Sequence, residues 1–246
     1  MNKLIIFLFI GLVFFTGCTS TKTIQKNMDV NSFSMAYLKD SKIVDEKLGT
    51  TLSIDTIYFN SDVMYPNTQV IRQKGWFIPL VFVYIWNSQN NCIQGKSMIE
   101  EDIPTFLHSS LTEEINRSGI FLVDTLKNPT YQLELSIDKV DTQGPYRSSG
   151  FFYMLLYVYG YSYSDNAGPA VSKVSVSYKL KKDGEVVLRN AFDSEKTTQP
   201  INKHYSNTSM LQRDYAVSMV EATSYNFKDV IELIVNDLNQ YFSNQD

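Results

Sequence analysis

Two stretches of the chain alternate with a period of two, and they constrain the fold more than anything else in it. Tyr131–Val140 (YQLELSIDKV) sets Tyr131, Leu133, Leu135 and Ile137 on one side and Gln132, Glu134, Ser136 and Asp138 on the other. Ser172–Leu180 (SKVSVSYKL) does the same with Val174, Val176, Tyr178 and Leu180. Alternation of this kind is the mark of a strand with one apolar and one polar face. Lys182-Asp183-Gly184 then leads into Glu185–Asp193, and Asp-Gly accepts the positive φ angles of a tight hairpin. The result is a one-sided antiparallel sheet, whose apolar face needs a cover.

Two helices are expected to supply that cover. Ile103, Phe106, Leu107, Leu111 and Ile115 recur at helical spacing, and Gly119 stands where a left-handed C-terminal cap belongs. Its start is marked twice, by a capping-box pattern at Ser97–Glu100 and by Asp102 ahead of Ile103-Pro104. The second helix runs from about Ser209 to Phe242, with an apolar stripe of Phe227, Val230, Ile231, Ile234, Leu238 and Tyr241. Thr51–Phe59 and Ile120–Asp124 read as further strands. The order is strand, helix, strand, strand, strand, strand, helix. It predicts an α+β fold, a mostly antiparallel sheet with two helices packed on one face.

The chain opens MNKLIIFLFIGLVFFTGC. Lys3 precedes an apolar run, Leu4–Phe15, too short for a spanning helix of about 20 residues, as in a secretory signal. Phe15-Thr16-Gly17-Cys18 resembles the lipobox of bacterial lipoproteins, with Phe15 in place of the usual Leu. The resemblance implies removal of residues 1–17 and lipid attachment at Cys18. Thr19, and not Asp, follows Cys18, and TSTKTIQKN contains no acidic cluster. The expected location is therefore the periplasmic face of the outer membrane. Residues 18–48 are expected to be a flexible tether, and 49–246 a single domain with apolar insertions near 60–96 and 142–170.

The helix end "INRSGIFLVD", then "YQLELSI", then "VSVSYKLKKDGEVV" and a long terminal helix together resemble a group of envelope lipoproteins. The group includes the lipopolysaccharide-translocon partner LptE, the penicillin-binding-protein activator LpoB, the curli secretion protein CsgG and the auxiliary lipoproteins of ABC-type transporters. The likeness covers about Met98–Phe242. It implies a shared shape and a membrane-anchored accessory role, and it carries no site residues with it.

Composition excludes some classes. The chain has 22 Lys and Arg against 26 Asp and Glu, with no basic stripe to bind nucleic acid. Cys92 is the only cysteine besides Cys18, so it has no disulfide partner once Cys18 is acylated, and it reads as a small buried hydrophobe. Ser136-Ile-Asp-Lys139, Ser164-Asp-Asn166 and Lys196-Thr197-Thr198 mimic the three motifs of penicillin-binding enzymes. Ser136, however, falls in a strand, where residues three apart point to opposite faces, and the third motif lacks its Gly. His108 and His204 are the only histidines and share no ligand set with a carboxylate or cysteine. No catalytic residue, metal or cofactor is expected.

Two apolar segments remain, Gly75–Trp86 and Gly150–Tyr163, the second uncharged from Phe151 to Tyr163. Tyr157, Tyr159, Tyr161 and Tyr163 alternate, whereas Phe151–Leu156 and Trp76–Trp86 do not. Fully apolar runs fit strands that are buried on two faces or lengthen the main sheet. Trp76, Phe77, Phe151, Phe152, Tyr157 and Tyr159 also fit a docking surface for an envelope protein or for lipid. A third reading is a set of strands that several copies assemble into a pore. The function expected is thus a non-enzymatic accessory or binding lipoprotein of an envelope complex. A secretion-type pore and an unrecognised periplasmic hydrolase are the alternatives.

Substitution Cys18→Ser is expected to release the protein from the membrane or to leave it uncleaved. Fractionation and detergent partitioning check this, and a variant that still partitions as a processed lipoprotein would rule Cys18 out as the anchor.

Overall fold

The computed structural model describes residues 21–37, 50–60, 67–78, 81–119, 122–123, 129–201 and 207–243. Helix α1 (Thr21–Asp29) is followed by β1 (Thr51–Phe59), β2 (Asn67–Ile78) and β3 (Val81–Ile93). Helix α2 (Ile103–Ser118), β4 (Leu122–Val123), β5 (Tyr131–Leu155) and β6 (Val158–Ala167) come next. The described chain ends with β7 (Val171–Lys182), β8 (Glu185–Thr197) and α3 (Thr208–Ser243). The fold is α+β with a mostly antiparallel sheet.

Local signals explain most boundaries. Asp102, extended at φ −63 and ψ 133, precedes α2, and a proline in its first turn needs no amide partner there. The competing capping-box segment forms a 3-10 turn at Lys96–Met98 instead. Gly119 closes α2 at φ 77. Asp183 at φ 52 and Gly184 at φ 84 make the β7–β8 turn.

The 25-residue strand β5 is the spine of the sheet. Its first half pairs with β1 in parallel and with β7 antiparallel. Its second half pairs antiparallel with β3 and β6. Adding β4 beside β1, β8 beside β7 and β2 beside β3 gives two sheets fused end to end along one strand. The expected strand Tyr131–Val140 therefore does not stop at Val140. A register shift between Ile137 and Lys139 moves the buried side chains from odd to even positions, so Thr142, Gly144 and Tyr146 continue the inner face. The insertions expected near 60–96 and 142–170 are, in their described parts, strands of the same sheet.

The basal half is covered on one side. Leu133, Leu135, Ile137, Val174, Val176, Tyr178 and Leu180 are buried beneath the helices, whereas Gln132 and Asp138 on the other face are exposed. Helix α3 contributes Tyr215, Met219, Phe227, Ile231 and Ile234 to that core. Polar clamps fix its register: Thr223 shares hydrogen bonds with Thr142 (2.7 Å) and Gln94 (2.6 Å), Asn226 donates to Ser172 (2.8 Å), and Tyr178 donates to Asp237.

Three helices, and not two, lie over the sheet among the described residues, because part of the expected tether is folded. Ile24 and Met28 of α1 are fully buried, and burying each side chain is worth about 1.5–3 kcal/mol. Gln25 closes a two-way hydrogen bond with Ile93, donating to its carbonyl (2.8 Å) and accepting from its amide (3.3 Å). Asn27 donates to Gln212 of α3 (2.9 Å), and Phe33 bonds the carbonyl of Met98 (2.9 Å). Tyr37 reaches Glu114 of α2 (2.9 Å). Residues 21–37 read as polar in sequence because their few apolar side chains are spaced to face one groove.

Gly184→Val puts a β-branched residue at positive φ, at a cost of about 1–2 kcal/mol. A fall in Tm of several degrees is expected, at about 2–4 °C per kcal/mol for a chain of this size. No contact explains it otherwise, since a Cβ there meets nothing within 4 Å.

Candidate functional site

The distal half of the sheet is an arm of four strands, β2-β3-β5-β6, and among the described residues no helix lies over its outer end. Its strands line up in rows. From the tip inward, Val81, Leu155 and Val158 share a row, then Phe82, Met154 and Tyr159, then Val83, Tyr153 and Gly160. Tyr84, Phe152 and Tyr161 follow, then Ile85, Phe151 and Ser162, then Trp86, Gly150 and Tyr163. The seventh row, Asn87, Ser149 and Ser164, is polar, and so are Ser88, Ser148 and Asp165 behind it. Residues opposite one another in a row point to the same face, and successive rows alternate. On β3, β5 and β6 both faces of the outer six rows are therefore largely apolar, in contrast to the basal half, whereas β2 sets Lys74 opposite Ile85 in the fifth row and Gln73 opposite Trp86 in the sixth.

These side chains are not in a core. Tyr157 is 97% exposed, Tyr159 68% and Tyr161 66%, and on the other face Phe151 and Leu155 are 44% and 47% exposed. They cover one another instead. Tyr84 stacks on Trp86 (5.8 Å), Phe151 on Tyr153 (6.4 Å) and Tyr161 on Tyr163 (6.5 Å). Trp86 lies across Gly150, where a Cβ would come within 2.3 Å of Cζ2, and Tyr153 lies across Gly160 at 2.4 Å from Cε1. Aromatic cover over strand glycines pins the register of an arm that lacks a buried face.

The turn at the tip is unusual. Leu156 and Tyr157 connect β5 to β6, and Leu156 sits at φ 55, a region that favours Gly or Asn. An apolar Leu-Tyr pair there accepts backbone strain to keep the tip hydrophobic.

Of the six aromatics predicted for docking, Phe151, Tyr157 and Tyr159 are exposed on this arm. Phe152 is half-buried against Phe82, with ring centroids 6.0 Å apart. Trp76 and Phe77 lie in β2 opposite Val83 and Phe82, and their side chains fall outside the described residues, as does Cys18. Tyr153, Leu155, Leu156, Val158, Tyr161 and Tyr163 belong to the same surface and were not singled out from sequence. The tyrosine alternation carried the signal for two of them; the rest needed the row alignment.

Other chemistry is sparse. Ser136 donates to Asp138 (2.8 Å), Lys139 pairs with Asp141 (3.7 Å), and Lys196 pairs with Asp229 (2.6 Å), so the three penicillin-binding-like motifs share no centre. His108 is exposed. Among the described residues no three His, Cys, Asp or Glu side chains gather as a metal site. Burial, and secondarily the Asp29 carboxylate, pushes the Cys92 thiol up to about 12, which makes it a poor nucleophile. A hollow of about 100 Å³ bordered by Tyr58, Glu134, Lys179 and Arg189 is smaller than pockets that enclose small ligands, which run to about 300–1,000 Å³. No described helix is long and apolar enough to cross a membrane.

No family model matches the sequence, and no curated protein matches it. Among solved structures, the chain is similar to the crystal structure of protein XCC0632 from Xanthomonas campestris, of the family DUF330. The TM-score is 0.43 at 10% identity, over 86% of this chain and 99% of that one.

Phe151→Ala is expected to change stability by less than about 1 kcal/mol, because nearly half of the residue is already in water and its ring stacks on another exposed ring, Tyr153. Phe227→Ala, at a fully buried ring, is expected to cost about 3–5 kcal/mol. Thermal melts of the two variants check the contrast, and a large loss from Phe151→Ala would mean that the arm is covered by its own chain.

Proposed function

We propose that this chain is a non-enzymatic lipoprotein, anchored by Cys18 at the periplasmic face of the outer membrane, that serves as an accessory or binding component of an envelope assembly or transport complex. The observation that carries the reading is the two-faced apolar arm. A sheet normally leaves a polar face to water, as the basal half of this one does. Contiguous exposed apolar surface on this scale marks a surface that meets a partner or a lipid phase. The arm is held rigid by the basal half, which is a clamped helix–sheet layer. In this reading the basal half supports and the arm engages.

A second reading, an oligomeric pore, is favoured by one observation. Among the described residues, β2 and β6 have no strand beyond them, so each arm presents two open edges. Open edges can be closed by neighbouring copies, as membrane barrels require. The two-faced apolar pattern counts against it, because a water-filled barrel alternates apolar and polar residues.

A photo-reactive residue at position 159 of the full chain, activated in intact envelopes, separates these readings. A discrete adduct with an envelope protein or with lipid, absent when the probe sits at exposed position 185, is expected. A ladder of self-adducts would favour the pore. No adduct at position 159 would remove the arm from the function.

A further inference from the structure

We infer that the arm of this chain inserts into the same leaflet that holds its own lipid, with the Leu155-Leu156-Tyr157-Val158 tip entering first. The inference deepens the proposed function and rests on Cys18 being the attachment point. It follows from where α1 begins and which way it points. Gln25 bonds Ile93, and Asp29 lies against Gly95, where a Cβ would meet its Oδ1 at 3.0 Å. The chain then meets Met98 through Phe33. Residues 25, 29 and 33 thus follow residues 93, 95 and 98 in the same sense, so the start of α1 points back along β3 towards the arm. The start of α3 lies at the arm's base too, with Thr208 donating to Asp165 of the eighth row (3.2 Å). Gln212, one turn on, is the partner of Asn27.

Magnitudes then place the lipid. From Ile93 to Trp86, the last apolar row, is about 24 Å of strand. Helix α1 recovers about 6 Å of this between Gln25 and Thr21. Only Thr19 and Ser20 separate Cys18 from Thr21, a span of three residue steps and at most about 11 Å. The remaining gap is about the thickness of one headgroup band, roughly 5–8 Å. Fully extended along β3, that link lets an acylated Cys18 reach the level of the polar rows Asn87–Asn90 and no further, which sets its acyl chains on the same side of them as the arm's apolar rows. Those six rows extend about 17 Å, close to the roughly 15 Å of hydrocarbon in one leaflet and well short of a full crossing. Trp86 and Tyr163 in the innermost apolar row fall at headgroup level, where such rings are favoured.

The test uses the full-length, lipidated chain with one added cysteine, Tyr157→Cys, Tyr163→Cys or Glu185→Cys, labelled with an environment-sensitive fluorophore. Cys92 is buried and Cys18 is acylated, so the label goes to the added thiol. Each protein is reconstituted into phosphatidylethanolamine–phosphatidylglycerol vesicles whose acyl chains are brominated. The label at 157 is expected to lose most of its emission, that at 163 less, and that at 185 none. Vesicle-bound protein whose label at 157 is quenched no more than that at 185 would overturn the insertion and leave the anchor standing. Failure to float with vesicles at all would overturn the anchor and the inference together. A label at 157 that is unquenched in vesicles yet shielded from iodide in native envelopes would assign the arm to a protein partner instead.

Discussion

Everything in this structure depends on β5 running unbroken through 25 residues. One strand serves as the centre of two sheets, so the arm cannot move independently of the basal half without breaking a continuous ladder. The shift between Ile137 and Lys139 lets the inner face continue across the junction, and the hydroxyl cluster of Thr142, Ser172 and Thr223 sits just beyond it. Burying three hydroxyls is tolerable because each has a partner, and Gln94 and Asn226 extend the network beyond the three. The cluster ties α3 to the sheet at the point where β5 changes neighbours.

The two halves solve the same problem differently. The basal half buries one face under helices and turns Gln132 and Asp138 to water. Among the described residues the arm has no helix over its outer rows, and yet it carries apolar residues on both faces. Its edge strand β6 has no charged residue between Val158 and Ser164, although lysine and proline are the usual guards of a free edge. Such a surface in water promotes aggregation, at about 25 cal/mol for each Å² left uncovered. The chain spends stacking, glycine cover and a strained Leu156 on keeping this surface ordered and hydrophobic, which is consistent with an environment other than water.

The sequence was legible where one face is polar. The alternation in Tyr131–Ile137 and Val174–Leu180, the Asp-Gly turn and the Gly119 cap all report a local decision, and the structure has each in place. The arm was harder to read for a physical reason. Period-two alternation is visible only when the two faces differ, and here they do not. The register shift after Ile137 also broke the pattern at the point where β5 passes from one half to the other. The tip carries Leu-Tyr in place of a turn signature, so nothing local announced the hairpin. Helix α1 was missed because two buried residues, Ile24 and Met28, are too few to show a helical period against a polar background.

That short helix changes what a lipid on Cys18 does. A flexible tether of about 30 residues would have a root-mean-square reach near 30 Å and would let the domain face any direction. With α1 folded onto β3 and α3, only residues 18–20 stand between the proposed attachment point and the helix, a contour of about 11 Å at most. An anchor at Cys18, as proposed, would then constrain orientation as well as distance. A rigid arm held at a fixed height and angle loses little further freedom on engaging whatever lies at the membrane, and the entropy cost of ordering is met by the fold in advance. On the proposed anchor, the polar look of residues 18–37 and the apolar look of the arm would belong to one device, in which the first sets where the second can go.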